Sequence, residues 1–303
     1  MTSNPLRLAG LCRRMLVIVA AVAVPLAALG LASPALAVAH HPTGEFAPFA
    51  DCPLSTSNLS DCVLAETTSG QLTVGSRTVP IKNKITLQGG FIVNKTTERL
   101  EFVGAEDGNT LSKTAQYVPG GLFNIVAPEG LNKEQKEKFD ELINKGITGV
   151  TETTELAGPA SEIGLSTENL IFEEGIALSL PVKIKLGNTF LGSSCYIGSD
   201  SNPIVIDFTT GTTEPPAPNK PIKGAAGTLT HNEAFTLITL SGGKLVNNSF
   251  AAPEATGCGE PLSFLVDKAV DAELGLPSAA GHNTAILEGQ LSTANAEAVR
   301  ASE

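Results

Sequence analysis

Tryptophan is absent from this 303-residue chain and tyrosine occurs only twice. Surfaces that bind carbohydrate usually stack sugar rings on those side chains, which join a flat apolar face to a polar tip. Only Tyr117, Tyr196 and the phenylalanines remain for such a role. Charge is also sparse, at 17% of residues, and the net balance is acidic, −11. The first 37 residues hold three of the 20 basic residues and none of the 31 acidic ones, so the rest of the chain is more acidic than the whole. Nucleic acids and anionic lipid surfaces call for basic surface, so neither is an expected partner. The chain also lacks a Gly-x-Ser-x-Gly elbow, a C-x-x-C pair, a glycine-rich phosphate loop ahead of a helix, and any repeat of useful length. No cofactor is implied.

The N-terminus carries the strongest signal. Arg7, Arg13 and Arg14 precede an apolar run from Met15 to Ala32, broken only by Pro25, and Ala35-Leu36-Ala37 supplies the small-x-small pattern of a cleavage site. This reads as a secretory signal peptide over residues 1–37, and the expected location is extracellular, secreted or cell-wall-associated. Arg13-Arg14 also suits a twin-arginine signal. Cys12 precedes the apolar run, where a lipoprotein's modified cysteine would follow it. Leu276 to Ala280 has part of a sortase site but no Thr-Gly and no apolar tail behind it. After cleavage no stable membrane insertion is expected.

Cys52, Cys62, Cys195 and Cys258 remain in the mature chain. An even count in an exported protein reads as two disulfides, and four cysteines allow three connectivities. The preferred pairing is Cys52–Cys62, closing a short loop, with Cys195–Cys258 clamping two β-rich segments. A zinc site lacks the spacing, because His231 and His282 stand alone.

Many short apolar runs separated by Gly, Pro, Ser and Thr predict a mainly β protein. Residues 38–69 read as a polar lead-in with a local disulfide, and residues 70–303 as a single β-rich domain. Strands are predicted in 71–79, 81–87, 91–93, 100–103, 117–118, 122–126, 147–156, 170–172, 176–180, 182–186 and 203–208. The Pro-rich stretch 209–227 reads as a long loop and a candidate sub-boundary. A final hairpin is predicted from 229–240 and 244–250, turning at Ser241-Gly242-Gly243. Two helices interrupt the pattern. Asn132 with Gln135 forms a capping-box signature for 133–145, whose Phe139, Leu142 and Ile143 should cover a sheet end or edge. Leu262, Leu265, Val266, Ala269 and Val270 predict a second helix ending near Gly275. The expected fold is β-sandwich-like with two short helices and disulfide staples.

Candidate chemistry is thin. Ser193 or Ser194 with His231 or His282 could in principle make a hydrolase pair, while His40 and His41 lie near the mature N-terminus. Glu173-Glu174 would face opposite ways on a strand, and reads as a charged turn before Gly175 rather than as a glycosidase pair. Asp107-Gly108-Asn109 and Asp200-Ser201-Asn202 read as turns rather than calcium loops. Asn58, Asn94 and Asn247 begin glycosylation sequons.

The run VKIKLGNTFLGSSCYIGS (182–199) resembles a segment of actinobacterial secreted proteins of unknown function. TVPIKNKITLQGG (78–90), ATGCG (255–259) and LGLPSAAGHNTAILEG (274–289) are similar to further stretches of those proteins. The resemblance spans most of the mature chain. It implies export, and it supports the pairing of Cys195 with Cys258. It implies no active site.

The expected function is a secreted or cell-wall-associated, non-enzymatic protein with a structural or binding role toward an extracellular or cell-surface partner. Two alternatives are a secreted esterase or glycosidase, and a carrier that holds an apolar ligand between its sheets. An enclosed apolar cavity would mark the carrier.

Overall fold

The computed structural model describes residues 40–94 and 100–303. The expected signal peptide, with Arg7, Arg13, Arg14 and Cys12, lies outside those residues, as do Lys95 and Thr96 of one sequon. In chain order the strands are β1 (Leu59–Val74), β2 (Arg77–Pro80), β3 (Ile85–Val93), β4 (Leu100–Gly104), β5 (Gln116–Tyr117), β6 (Thr151–Leu156), β7 (Gly164–Leu165), β8 (Leu178–Gly187), β9 (Tyr196–Ile197), β10 (Ile204–Phe208), β11 (Thr228–His231), β12 (Leu237–Asn247), β13 (Ala255–Thr256) and β14 (Thr284–Asn295). The helices are α1 (Lys133–Lys145), α2 (Thr167–Phe172), α3 (Ser263–Leu274) and α4 (Ala296–Ala301).

The strands form two antiparallel sheets, so the chain is mainly β, as its punctuation predicts. The first sheet runs β11-β12-β14-β1-β3-β4, with β2 on the far half of β1. The second runs β13-β9-β8-β6-β5, with β7 and β10 also on β8. Strand β8 shows the logic plainly. Leu178, Leu180, Val182, Ile184 and Leu186 are buried, while Lys183 and Lys185 between them face outward. A two-residue side-chain period with one apolar and one charged face requires a strand half-covered by a second layer. That layer is the first sheet, whose Val63, Leu72, Val74, Leu87, Phe91, Leu240, Ala285 and Leu291 share one core with β8 and β10.

Strand β1 begins at Leu59, inside the segment that reads as a polar lead-in. Cys62-Val63-Leu64 is buried on both faces of the sheet. Val63 points to the shared core, while Cys62 and Leu64 join Phe49, Cys52, Leu54, Ala294, Ala296 and Val299 in a second, smaller core on the outer face. A strand covered on both sides shows no alternation. Residues 40–56 and α4 provide the cover, fastened by the Cys52–Cys62 disulfide with its Cα atoms 5.4 Å apart. The Arg300 guanidinium donates to the Leu54 carbonyl at 2.9 Å, and the Thr43 hydroxyl donates to the Ser302 carbonyl at 2.6 Å.

The second disulfide joins Cys195 to Cys258, with Cα atoms 4.1 Å apart. It lies at the end of a two-residue ladder in which Ala255 faces Ile197 and Thr256 faces Tyr196. Two carboxylates of α3 complete the fixing. Asp267 accepts from the Cys258 amide and Asp271 from the Ala255 amide, both at 2.7 Å.

Several elements differ from expectation. Residues 170–172 belong to α2 rather than to a strand. Ser166 caps that helix by accepting from the Asn169 amide at 3.2 Å, a local bond that outweighs the strand preference of Ile171 and Phe172. Ser241-Gly242-Gly243 is not a turn. Strand β12 runs straight through it, with a bulge where Gly242 takes φ +71°, a conformation only glycine adopts freely. The hairpin partner of β12 is the short β11. Residues 284–295, assigned no element from the sequence, form β14 between β12 and β1. Helix α1 has its capping box but no buried residue, and Leu142 is 71% exposed, so it covers no sheet. Stretch 209–227 is tied to β12 by bridges Thr209–Val246 and Ala225–Lys244. Among the described residues no helix is long and apolar enough to cross a membrane.

Fully buried Asn283 links three loops. Its side-chain oxygen accepts from the Gly75 amide at 2.9 Å, and its amide donates to the carbonyls of Phe250 (2.9 Å) and Ala279 (3.2 Å). Replacing it removes the side-chain partner of the part-buried Gly75 N–H and of the buried Phe250 carbonyl. Asn283→Ala is expected to lower stability by about 2 kcal/mol, read from the denaturant midpoint at unchanged m-value. A shift under about 0.5 kcal/mol would show that water replaces the side chain.

Candidate ligand cavity between the sheets

The two sheets do not pack solidly. One cavity, of about 120 Å³, is lined by Leu87 and Ile85 from β3, Leu178, Leu180 and Val182 from β8, Ile206 and Phe208 from β10, Leu240 and Leu245 from β12, and Ala285, Leu287 and Leu291 from β14. A second, of about 330 Å³, is lined by Val74 from β1, Val118, Leu122 and Val150, Ile184 and Leu186 from β8, Leu191, Ile197, and Val266, Val270 and Leu274 from α3. Leu72, Val79 and Glu152 border both, so the two are neighbours across one wall of three residues.

The first cavity owes its space to missing side chains. Gly243 and Gly289 line it, opposite each other in the first sheet. Strand β1 is bulged between Thr67 and Ser69, and β12 between Ser241 and Gly243, both beside Gly289. A Cβ at 289 would run into the Glu66 carbonyl, so only glycine lets the bulged strands close on β14. The bulge also switches the inward parity of β1 from Val63 and Ala65 to Leu72 and Val74.

Polar groups bordering these cavities are few, and most are engaged with protein partners. The Gln116 side-chain oxygen accepts from the Lys82 and Asn83 amides, each at 2.9 Å, and its amide donates to the Asn83 carbonyl at 2.7 Å. The Thr210 hydroxyl donates to the Leu170 carbonyl at 2.9 Å. Glu66 pairs with Lys84 and accepts from Gln290 at 2.7 Å; the Lys84 ammonium holds its carboxyl below the usual range. Arg77 pairs with Glu273 at the side of the second cavity.

Glu152 is different. It sits in β6 opposite Leu186 on one side and Gln116 on the other, and is buried with no cationic partner in hydrogen-bonding reach among the described residues. Burial pushes its carboxyl up to about 8, opposed only by a hydrogen bond from Thr154. A charge there would have to be desolvated among leucines and valines, so burial favours the neutral carboxyl. Glu152 escapes notice in the sequence because Thr151-Glu152-Thr153-Thr154-Glu155 looks like a solvated strand. Its parity with buried Val150 was the available signal.

Loop residues Gly121, Leu122, Phe123 and Leu191 line part of the second cavity. Leu122 donates to the Thr148 carbonyl at 2.8 Å, the Asn188 amide donates to the Ile147 and Gly149 carbonyls at 3.1 and 2.7 Å, and Gly259 donates to the Leu191 carbonyl at 2.8 Å. These bonds gather four loops, and Phe123, Ile147, Phe190 and Leu262 are exposed on them.

The residues singled out from the sequence lie elsewhere. Ser193 and Ser194 are exposed between β8 and β9, and His282 is exposed just before β14. The His231 ring stacks on Phe235 with centroids 3.8 Å apart, in the β11–β12 connection. Glu173 accepts from the Ala226 amide at 3.1 Å and pairs with Lys223 at 3.2 Å; that amide and ammonium lower its carboxyl and tether the 223–226 loop. Asp107 accepts from the Asn109 amide at 2.8 Å, and Asp200 pairs with Lys183 at 2.6 Å, so each serves a local fold contact. His40 pairs with Glu303 at 2.7 Å. The Asn247 amide donates to the Asp207 carbonyl at 2.5 Å. Among the described residues no three of His, Cys, Asp or Glu gather into a set that would hold a metal ion.

The fold and cavity define a two-sheet antiparallel protein with an apolar interior space. No protein-family model matches the chain, and no curated protein or solved structure is detectably similar to it.

Proposed function

We propose that this is an exported, non-enzymatic carrier that encloses an apolar small molecule between its sheets. The observation that carries the reading is the pair of adjoining apolar cavities walled by Leu72, Val79 and Glu152. Well-packed cores leave few voids larger than a water molecule, so two such spaces in one core are better explained by an occupant than by careless packing. Export is supported by the signal-like N-terminus and by two buried disulfides, which persist outside the reducing cytosol.

Native mass spectrometry of the protein from culture supernatant is expected to show a non-covalent mass that leaves on denaturation. Titration with Nile red, a neutral apolar dye, is expected to give saturable binding. Ala285→Leu should fill the first cavity and Val150→Phe the second, each weakening the dye by about tenfold with the circular dichroism spectrum unchanged. A bare protein that binds no dye would overturn the carrier and leave a surface-binding role.

A further inference from the structure

We infer that the ligand is an uncharged, elongated molecule whose apolar arms fill both cavities and whose oxygen acceptor, of ketone, ester or ether type, is bound by Glu152. This rests on the carrier reading and adds the chemistry of the cargo.

The position of Glu152 carries the argument. It is the ionisable side chain that both cavities share, at the wall between them. A ligand that occupies both cavities would lie against it. The neighbouring polar groups have little to offer, because Gln116 and Thr210 are held by backbone partners and Arg77 is neutralised by Glu273. Burial favours the protonated form of the Glu152 carboxyl, which places an acid O–H at the wall the two cavities share.

That donor discriminates among cargoes. A ketone or ester oxygen accepts the proton's hydrogen bond and leaves nothing charged in the cavity. A plain alkane leaves the O–H unsatisfied in an apolar space, which is costly. A fatty acid would have to bury its own carboxylate beside an acid, while the cations among the described lining residues, Arg77 and Lys244, already face Glu273 and Glu288.

The test uses the disulfide-intact protein and Nile red displacement near neutral pH. The competitors are a symmetric dialkyl ketone, the alkane of equal length and the fatty acid of equal length. The wild type should prefer the ketone to the alkane by about tenfold, with the fatty acid weakest. Glu152→Leu should erase that preference while keeping alkane affinity, and Glu152→Gln should retain it, because an amide N–H can also donate. Equal displacement by ketone and alkane in the wild type, or tightest binding of the fatty acid, overturns this inference and leaves the carrier standing. No dye binding overturns both. The wild-type ranking decides the matter even if Glu152→Leu fails to fold.

Discussion

Replacing Cys195 and Cys258 together by alanine is expected to lower stability by about 4 kcal/mol, the larger loss of the two disulfides. The two residues are 63 apart in sequence, and the entropy removed from the unfolded chain by a loop of that length corresponds to about 4 kcal/mol. The Cys52–Cys62 loop, with a separation of 10, gives about 3 kcal/mol by the same reasoning. Both sulfurs of the longer bridge are fully buried, so the alanine pair also leaves a small void. Without it, β13 holds the second sheet by a two-residue ladder and the Asp267 and Asp271 contacts. The loss should therefore appear first as faster hydrogen exchange in residues 255–274, then as a lower guanidinium midpoint. If the Cys52–Cys62 pair proved the more costly to remove, loop length would not govern these staples.

Glu152→Gln is expected to stabilise the protein above pH 5 and to flatten its pH dependence. The sign follows from where the proton is bound. The folded carboxyl titrates at about 8 against 4.5 for the ordinary group, so between those values the folded state holds a proton that the unfolded state has released. Stability then falls as pH rises through that window, by about 1.4 kcal/mol per pH unit, and levels off above it. The accumulated cost is on the order of 5 kcal/mol at high pH, and it vanishes below the unfolded value. Glutamine keeps the shape and never ionises. The other charged groups bordering the cavities are Glu66, Lys244, Arg77 and Glu273, and each has an opposite charge beside it: Lys84, Glu288, Glu273 and Arg77. Melting curves of both proteins from about pH 5 to pH 9 would check this. Parallel curves would mean that water reaches Glu152 and keeps its titration ordinary.

The alternating strands were legible in the sequence wherever one face meets water, as in β8. Helices α1 and α3 were legible because caps and stops are local chemistry. What escaped depends on long-range cover. Cys62-Val63-Leu64 shows no alternation because α4, from the far end of the chain, shields its outer face. Strand β14 carries Ala285, Leu287 and Leu291 on one face, but Gly289 interrupts the pattern where a bulge needs it. Ser241-Gly242-Gly243 has the composition of a turn, and only pairing with β14 makes it a bulge. The cavity site was the least visible part. An empty volume is a property of what many distant strands leave unfilled, and the acid at its wall sits in a polar-looking strand.

The pairing of β1 with β14 sets the order in which this molecule can be assembled. Residue 61 lies opposite 295 and residue 73 opposite 284, so the middle of the first sheet joins the two ends of the described chain. Such distant partners make for slow folding, since the intervening chain must be ordered before the contact repays it. When the N-terminal part of the chain folds, β1 can pair with β2 and β3, but its other edge stays open until β14 arrives. The second sheet, built from residues 116–256, has no such dependence and can form first. Its inner face would then stand ready as the surface on which the late-closing sheet is laid.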